Sequence, residues 1–477
     1  VPDVSPVVLA VVAVVWAVVF SALVYLRHDR FASFSFDMGI FDQAIWLLSR
    51  FDGQFITVRG LDVFGHHASV GFYLFVPFYW LGAGPHVLNI AQVLVAASGA
   101  VPVYLLARYR FSDGWAALAL GTAFLLHPAL QFMMWEHFHP ETIAITPLLF
   151  AYWFSVRERW GWFAACAVLA VSFKEDVALA VAVLGVLIAL RGHRRTGLLT
   201  AGLALGWFFF VTRLLLPAIN GTEAFYVNFF GDLGDSMGEI AWNAVRHPSR
   251  IIERLTAPDA LDYLYKMTAP FAFMPLAAPL VLLIGVPQTV VNLISVNSFT
   301  REITFHYAAL PLAGLILATV EGIWLSTRAL RLRRILAAAV LATSLAATVG
   351  WGLSPIGREY RKGWWPLVED SRRQVKEAAL AMVPDGASVS ASYHFVPHLS
   401  QRKAIFEYPN PFRPSNWGVR DENYPPPTAA EWLVIDRQIL GPTDRELLDR
   451  LLTGGEFQPL FDREDVVVAR RLPTSPS

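Results

Sequence analysis

The stretch VVLAVVAVVWAVVFSALVYL, Val7–Leu26, decides the fold class, because it carries no charge at all. A helix of about 20 apolar residues matches the roughly 30 Å hydrocarbon core of a bilayer. Apolar runs recur at 85–107, 113–130, 141–156, 160–173, 177–190, 197–216, 306–326 and 335–353. Of the 477 residues, 55% are hydrophobic and 16% charged, against roughly 25% charged in ordinary soluble domains. The chain therefore reads as a mainly α, polytopic membrane protein whose first partner is the lipid bilayer. Its 16 tryptophans and 34 phenylalanines suit interfacial belts and packed spans. A formal net charge of zero gives no support to a nucleic-acid partner. The single cysteine, Cys166, excludes an intrachain disulfide and a cysteine-based zinc site. The first run lacks a basic leader and a small-residue cleavage pattern before Arg27, so it reads as a retained span rather than a secretory signal.

Outward from that run, positive charge sets the orientation, because short Lys/Arg-rich loops stay in the cytoplasm. The basic turns are Arg108/Arg110, Arg157/Arg159, Arg191/Arg194/Arg195 and Arg328/Arg331/Arg333/Arg334. With the N-terminus cytoplasmic, the first three fall inside. The fourth does so only if 270–299, with Pro287 in its middle, crosses twice as a broken hairpin. About eleven crossings are expected, with the aromatic segment 71–82 at the outer interface. Residues 27–70, 131–140, 174–176, 217–268, 300–305 and the tail from about 354 then lie outside. The expected division is a transmembrane domain over 1–353 and an extracytoplasmic α/β domain over 354–477. In the tail, strands are predicted at 387–392, 403–408, 431–436 and 465–470, helices at 369–382 and 443–452, and a loop at 409–428.

The polar residues concentrate on that outer face. FDMGIFDQAIW, 36–46, carries Asp37 and Asp42 where the chain leaves the first span. Five-residue spacing keeps them off one helical face; Asp37 is expected to open a short helix with Asp42 a turn and a half later. Either is a helix cap or interfacial carboxylate, or a general base whose pKa is raised by apolar walls. His66 and His67 are adjacent, so one can bind while the other packs. Trp135–Glu141 brings Glu136, His137, His139 and Glu141 together; imidazoles with carboxylates suit a divalent metal or an anion. The pattern specifies no cofactor, lacks the His-Glu-x-x-His spacing of a zincin, and also fits an aromatic-belt turn. Lys174-Glu175-Asp176 joins two short spans. Arg301, with His306 nearby, suits a phosphate, which a guanidinium grips through a planar fork.

Several of these motifs together resemble a known family. Phe36-Asp37-x-Gly-x-Phe-Asp42-Gln43, His137–Glu141, Lys174-Glu175-Asp176 and Val-Pro-His-Leu-Ser at 396–400 are similar to the bacterial membrane proteins called domain of unknown function 2079. That family in turn is similar to the GT-C superfamily of glycosyltransferases. The resemblance implies a multi-pass enzyme of the bacterial plasma membrane. It would transfer a sugar from a polyprenyl-phosphate donor to a cell-envelope glycan, lipid or protein acceptor on the outer face. It also implies an acidic base just after the first span, a position that Asp37 matches best and Asp42 second, and cationic residues for the carrier phosphate. The adjacent acidic pair common in that superfamily is absent, since Met38 follows Asp37.

Two other readings compete. A transporter or flippase of a lipid-linked or envelope substrate would also use a broken hairpin and intramembrane charge. Alternatively the tail is a binding domain, with Ser390–His394 forming a ligand crevice at a strand end.

Overall fold

The computed structural model describes residues 3–51, 53–221, 225–414 and 425–473. By packing, the chain divides into two units: Val1–Val24, His67–Gly71 and Asn89–Trp365 make one, and Tyr25–His66, Phe72–Leu88 and Pro366–Ser477 the other.

The first unit is helical. Among the described residues, five helical stretches are long and apolar enough to cross a membrane: Ser5–Asp29, Pro85–Phe111, Arg194–Asn220, His306–Ser326 and Leu330–Trp351. Gly114–Leu126 and Pro128–Trp135, bent by 42° at their junction, make a sixth if they count as one span. The bend follows from Pro128, which cannot donate its amide, and from His127, whose Nδ1 accepts from Ala129 N at 3.2 Å and restarts the helix. On Ser5–Asp29 the exposed Val7, Val11, Val14 and Val18 recur every three or four residues, a lipid-facing stripe, while Leu9, Trp16 and Phe20 are buried.

Each singly expected span meets a helical segment. The segment 270–299, expected as a broken hairpin, is a series of short helical pieces at Ala269–Phe271, Met274–Ala277, Pro279–Leu282 and Val286–Ile294. Pro270, Pro275, Pro279 and Pro287 each stand at the start of one piece, where a missing amide costs least. Trp160–Val171 and Val177–Leu190 have 12 and 14 residues, so about 18 and 21 Å of helix, short of the bilayer core. A pair this short draws its connecting turn, Lys174–Asp176, toward the membrane. Gly197 lets the second of these helices meet Arg194–Phe210 closely: a Cβ there would sit 2.3 Å from the Ala189 backbone nitrogen.

The second unit holds the strands. A small antiparallel pair, β1 (Phe55–Ile56) and β2 (Leu61–Asp62), lies in the first loop. The tail forms a five-stranded sheet from β3 (Val389–Ala391), β4 (Ile405–Glu407), β5 (Trp432–Asp436), β6 (Phe457–Arg463) and β7 (Val466–Arg471), in the order β4-β3-β5-β7-β6. β3 pairs in parallel with β4 and β5, and β7 runs antiparallel to β5 and β6. Every residue of β5 is buried, as a central strand requires. Helix Pro442–Thr453 covers one face through Leu447, Leu448 and Leu451, packed with Leu433, Ile435, Phe457 and Ala469. The four expected strands and both tail helices are present; β6 was not expected. Of the loop expected at 409–428, residues 415–424 lie outside the described residues.

Candidate functional site

In the first unit, four separate stretches bring carboxylates and imidazoles into one buried group. The 137–139 turn ahead of helix Pro140–Val156 is fixed by two polar residues of helix Pro85–Ser98. Gln92 donates to the carbonyls of His137 (2.6 Å) and Met133 (2.9 Å) and accepts from His139 N (2.6 Å). Asn89 Oδ1 accepts from Phe138 N at 3.0 Å. This bracketing holds His137 at a positive φ of 87°, a region that costs a non-glycine residue about 1 kcal/mol or more.

The turn presents Glu136, His139 and Glu141, all buried, to His306. His306 Nδ1 lies 2.7 Å from Glu136 Oε1, and its Nε2 3.6 Å from Glu141 Oε1. The rings of His139 and His306 stack with centroids 4.0 Å apart. Lys174 donates to Glu141 and lies 3.3 Å from Asp176. Glu175 closes the group: one oxygen is 2.8 Å from His67 Nδ1 and the other accepts from Ala68 N at 3.2 Å. Further bonds from Ser69 Oγ to Phe173 O and from Gly71 N to Ser172 O, both 2.7 Å, dock the 67–71 stretch onto the same turn.

Charge within this group is unbalanced. Glu136, Glu141, Glu175 and Asp176 face Lys174, with the imidazoles of His67, His139 and His306 beside them. Burial works against the Lys174 charge, but Asp176, Glu141 and Glu175 outweigh it and hold the ammonium above its ordinary range. Burial likewise pushes the Glu175 carboxyl up, yet His67 and Lys174 bring it below its ordinary value; for Asp176 burial wins and the shift is upward. Neutrality then needs protons on the imidazoles or on Asp176, or a bound cation. Glu136 Oε2, Glu141 Oε2 and Asp176 Oδ1 are buried with no hydrogen-bond partner among the described residues. One ligand atom each from Glu136, His139 and His306 lie within 4.8 Å of one another, so this group could hold a metal ion. His306 therefore joins Glu136 and His139 in this group, and His137 is not among its three ligand residues.

The remaining expected residues stand elsewhere. The Arg301 guanidinium is engaged by Asp259 (Nη2–Oδ2 2.7 Å) and by the carbonyls of Ser295 (2.6 Å) and Leu293 (3.3 Å). His66 is buried in the second unit, where its ring lies 6.2 Å from that of Phe41.

Asp37 and Asp42 belong to the second unit, and their environments differ. The helix starts at Ile40 with Gly39 as its N-cap, so Asp37 precedes it rather than opening it. Asp37 is half-buried, in a turn with φ 69° and ψ −79°, close to a rare and strained γ-turn geometry. Asp42, in the first turn of Ile40–Arg50, is completely buried. Its Oδ1 accepts from Tyr79 Oη at 2.6 Å and its Oδ2 from Ser400 Oγ at 2.6 Å. Burial outweighs these bonds and pushes its pKa up to about 6.

Two of the sequence motifs therefore meet. Asp42 takes its hydrogen bond from the serine that ends Val396–Ser400, and a Cβ on Gly39 would stand 2.9 Å from Val396 Cγ1. Gln43 continues the seam, donating to Thr57 Oγ1 (2.9 Å) and Arg402 O (3.2 Å), while Thr57 bonds both the N–H and the carbonyl of Ile405 on β4.

With this geometry in place, comparison with known proteins adds the following. No curated protein sequence matches the chain. The fold matches the crystal structure of ArnT from Cupriavidus metallidurans bound to undecaprenyl phosphate. The match covers 97% of this chain and 99% of that one, at 14% identity and a TM-score of 0.50. ArnT in the apo state is matched at 14% identity and a TM-score of 0.43, over 96% of this chain and 97% of that one. The resemblance read from the sequence is met: the fold is like that of ArnT, and the model of the family described as predicted membrane protein (DUF2079) matches residues 27–468. A match of that extent shows that the chain is a multi-pass membrane protein belonging to the DUF2079 family.

Proposed function

We propose that this protein is a glycosyltransferase of the GT-C type, which moves a sugar from a polyprenyl-phosphate carrier to a cell-envelope glycan, lipid or protein. The observation that carries the proposal is the likeness over nearly the whole chain to an enzyme crystallised with undecaprenyl phosphate. In this reading the N-terminus is cytoplasmic, and the sheet-bearing tail and the polar loops are extracytoplasmic. The reading keeps the division into a membrane part to 353 and a tail from 354.

The proposed reaction is a displacement at the anomeric carbon. Asp37 takes the proton of an acceptor hydroxyl as its oxygen bonds to that carbon, and the bond to polyprenyl phosphate breaks with both electrons going to the phosphate. Asp37 suits a base better than Asp42, because it is half-buried in a strained turn, whereas Asp42 is completely buried. One general base contributes roughly a hundred- to ten-thousand-fold. Glu136, His139 and His306 would hold a divalent cation, which when bound supplies positive charge at that group. Lys174 is already paired by Glu141 and Asp176, so its part in this reading is to fix those carboxylates.

The competing transport reading needs helices that part on the side of the basic turns. There Glu321, buried in Ala309–Ser326, accepts from Arg110 (2.7 Å) and from the Tyr152 hydroxyl (2.9 Å). Tyr152 in turn accepts from Arg191. This network ties helices Ala100–Phe111, Pro140–Val156 and Ala309–Ser326 to the end of Val177–Leu190, and opening it would strand buried charge. It favours an enzyme with a fixed floor.

The test is to incubate purified protein with radiolabelled polyprenyl-phosphate sugars and envelope acceptors, comparing wild type with an Asp37→Asn variant of unchanged melting temperature. Transfer lost in the variant supports both the activity and the base. Transfer retained moves the base elsewhere. Carrier movement across liposomes without transfer overturns the reading in favour of a flippase.

A further inference from the structure

We propose that Glu407 is a positioning residue for Asp37, acting through Ser35; the inference rests on the reading of Asp37 as the base. Glu407 is the last residue of β4, its backbone in register with Ala391 of β3. Its side chain leaves the sheet and accepts a hydrogen bond from Ser35 Oγ. Ser35 is 1% exposed and stands two residues before Asp37.

The tail thus grips the 35–39 turn at both ends. Ser35 is tied to Glu407, and Gly39 is packed so closely on Val396 that a Cβ there would stand 2.9 Å from its Cγ1. Between these anchors Asp37 takes its φ of 69°. A strained conformation of this kind persists only where its surroundings over-determine it, and the two tail contacts contribute to that. Gly39 supplies shape. Ser35 and Glu407 supply a directed bond, and the acceptor is a carboxyl in a site where burial is costly. Burial raises its pKa to about 7, and no cation within ion-pair distance of it is found among the described residues. A backbone carbonyl or an amide would have served a purely structural bond at lower cost. The neighbouring Tyr393, whose hydroxyl feels both Asp436 and Glu407, places the β3 end beside the same carboxyl.

The test reads the turn directly, independently of activity. Hydrogen exchange of the full chain in detergent micelles is followed by mass spectrometry in peptides covering 34–41, where the Ile40 amide donates to Asp37 O. Ser35→Ala and Glu407→Ala should each speed exchange there by about fivefold to tenfold, the effect of one lost hydrogen bond. The double variant should be no faster than either single one, and Glu407→Gln, which still accepts, should stay protected. Peptides from 309–326 serve as the folding control, and Ser35→Ala, which removes a single oxygen, covers the case in which Glu407→Ala fails to fold. Unchanged exchange in Ser35→Ala, or additive effects in the double variant, overturns the proposal. In the transfer assay the same variants should lower kcat with an unaltered KM for the donor. Altered exchange with no transfer by the wild type would leave Glu407 as the group that holds the turn and refute the glycosyltransferase reading alone.

Discussion

Asp42→Asn should leave the protein about as stable as wild type at pH 8 and remove part of the stability that wild type gains on acidification. Asp42 is completely buried, and burial raises its pKa from 3.8 to about 6. The native state therefore holds this proton more tightly than the unfolded chain does. Between those two values the folded protein binds more protons, so stability falls as pH rises through the window and the gain is lost above about pH 6. A shift of roughly two units corresponds to about 3 kcal/mol in full, of which about 1.4 kcal/mol develops between pH 8 and pH 5. The asparagine is accommodated because Ser400 Oγ also lies 3.0 Å from the Pro397 carbonyl. Its hydroxyl can turn its proton there and accept from the new amide. The assay is thermal unfolding in detergent, followed by tryptophan fluorescence from pH 8 to pH 5. Glu407, raised to about 7 with the same sign, contributes equally to both proteins, so the difference between them isolates Asp42. Parallel pH profiles would refute the reasoning. A variant several kcal/mol less stable at pH 8 would show that the two hydroxyl donors stabilise the ionised carboxylate by more than its burial costs.

Other outcomes follow from the first unit and from the seam of the second. Lys174→Met leaves Glu141 and Asp176 buried without their ammonium and should cost about 3–5 kcal/mol, read as a fall in Tm that adding Glu141→Gln partly reverses. Purified protein equilibrated with zinc or manganese should retain metal by elemental analysis, and Glu136→Gln or His306→Ala should abolish the retention; equal retention in the variants would remove the metal from this site. Gly39→Ala should destabilise the protein by about 1–3 kcal/mol through overpacking against Val396, and Val396→Ala in the same chain should recover most of that loss in a double-mutant cycle.

Much of the membrane fold was legible because apolar runs report their own length, and the tail strands because Trp432–Asp436 and Val466–Arg471 are dense in β-formers. β6 escaped for physical reasons. Phe457–Arg463 contains Pro459, which breaks its register against β7, and the turn joining them uses Glu464 and Asp465 at positive φ without the glycine or asparagine that marks such hairpins. Asn89 and Gln92 were readable in part, since two amides three residues apart share one helical face, but nothing local says that they clasp the 137–139 turn. Arg301 has the chemistry of a phosphate ligand, and Asp259, 42 positions earlier, engages its guanidinium.

The two aspartates give the sharpest case. By residue type they are alike, both carboxylates beside the first span and five residues apart, and only the family resemblance ranks Asp37 first. The fold separates them: Asp42 is completely buried and reaches Ser400, 358 residues on, while Asp37 is half-buried in its turn. A carboxylate that accepts from two hydroxyls in a buried seam can do chemistry only by giving up the bonds that fold its unit. Asp37 is half-buried and lies nearer to solvent than Asp42. On the proposed reading, that difference in burial gives the anchoring role to Asp42 and proton transfer to Asp37. It also makes a definite demand. Asp37→Asn should spare Tm while abolishing transfer, whereas Asp42→Ala should lower Tm by several degrees, with loss of transfer only in proportion to the unfolded fraction. If Asp42→Ala kept its Tm and lost all transfer, the assignment would have to be exchanged.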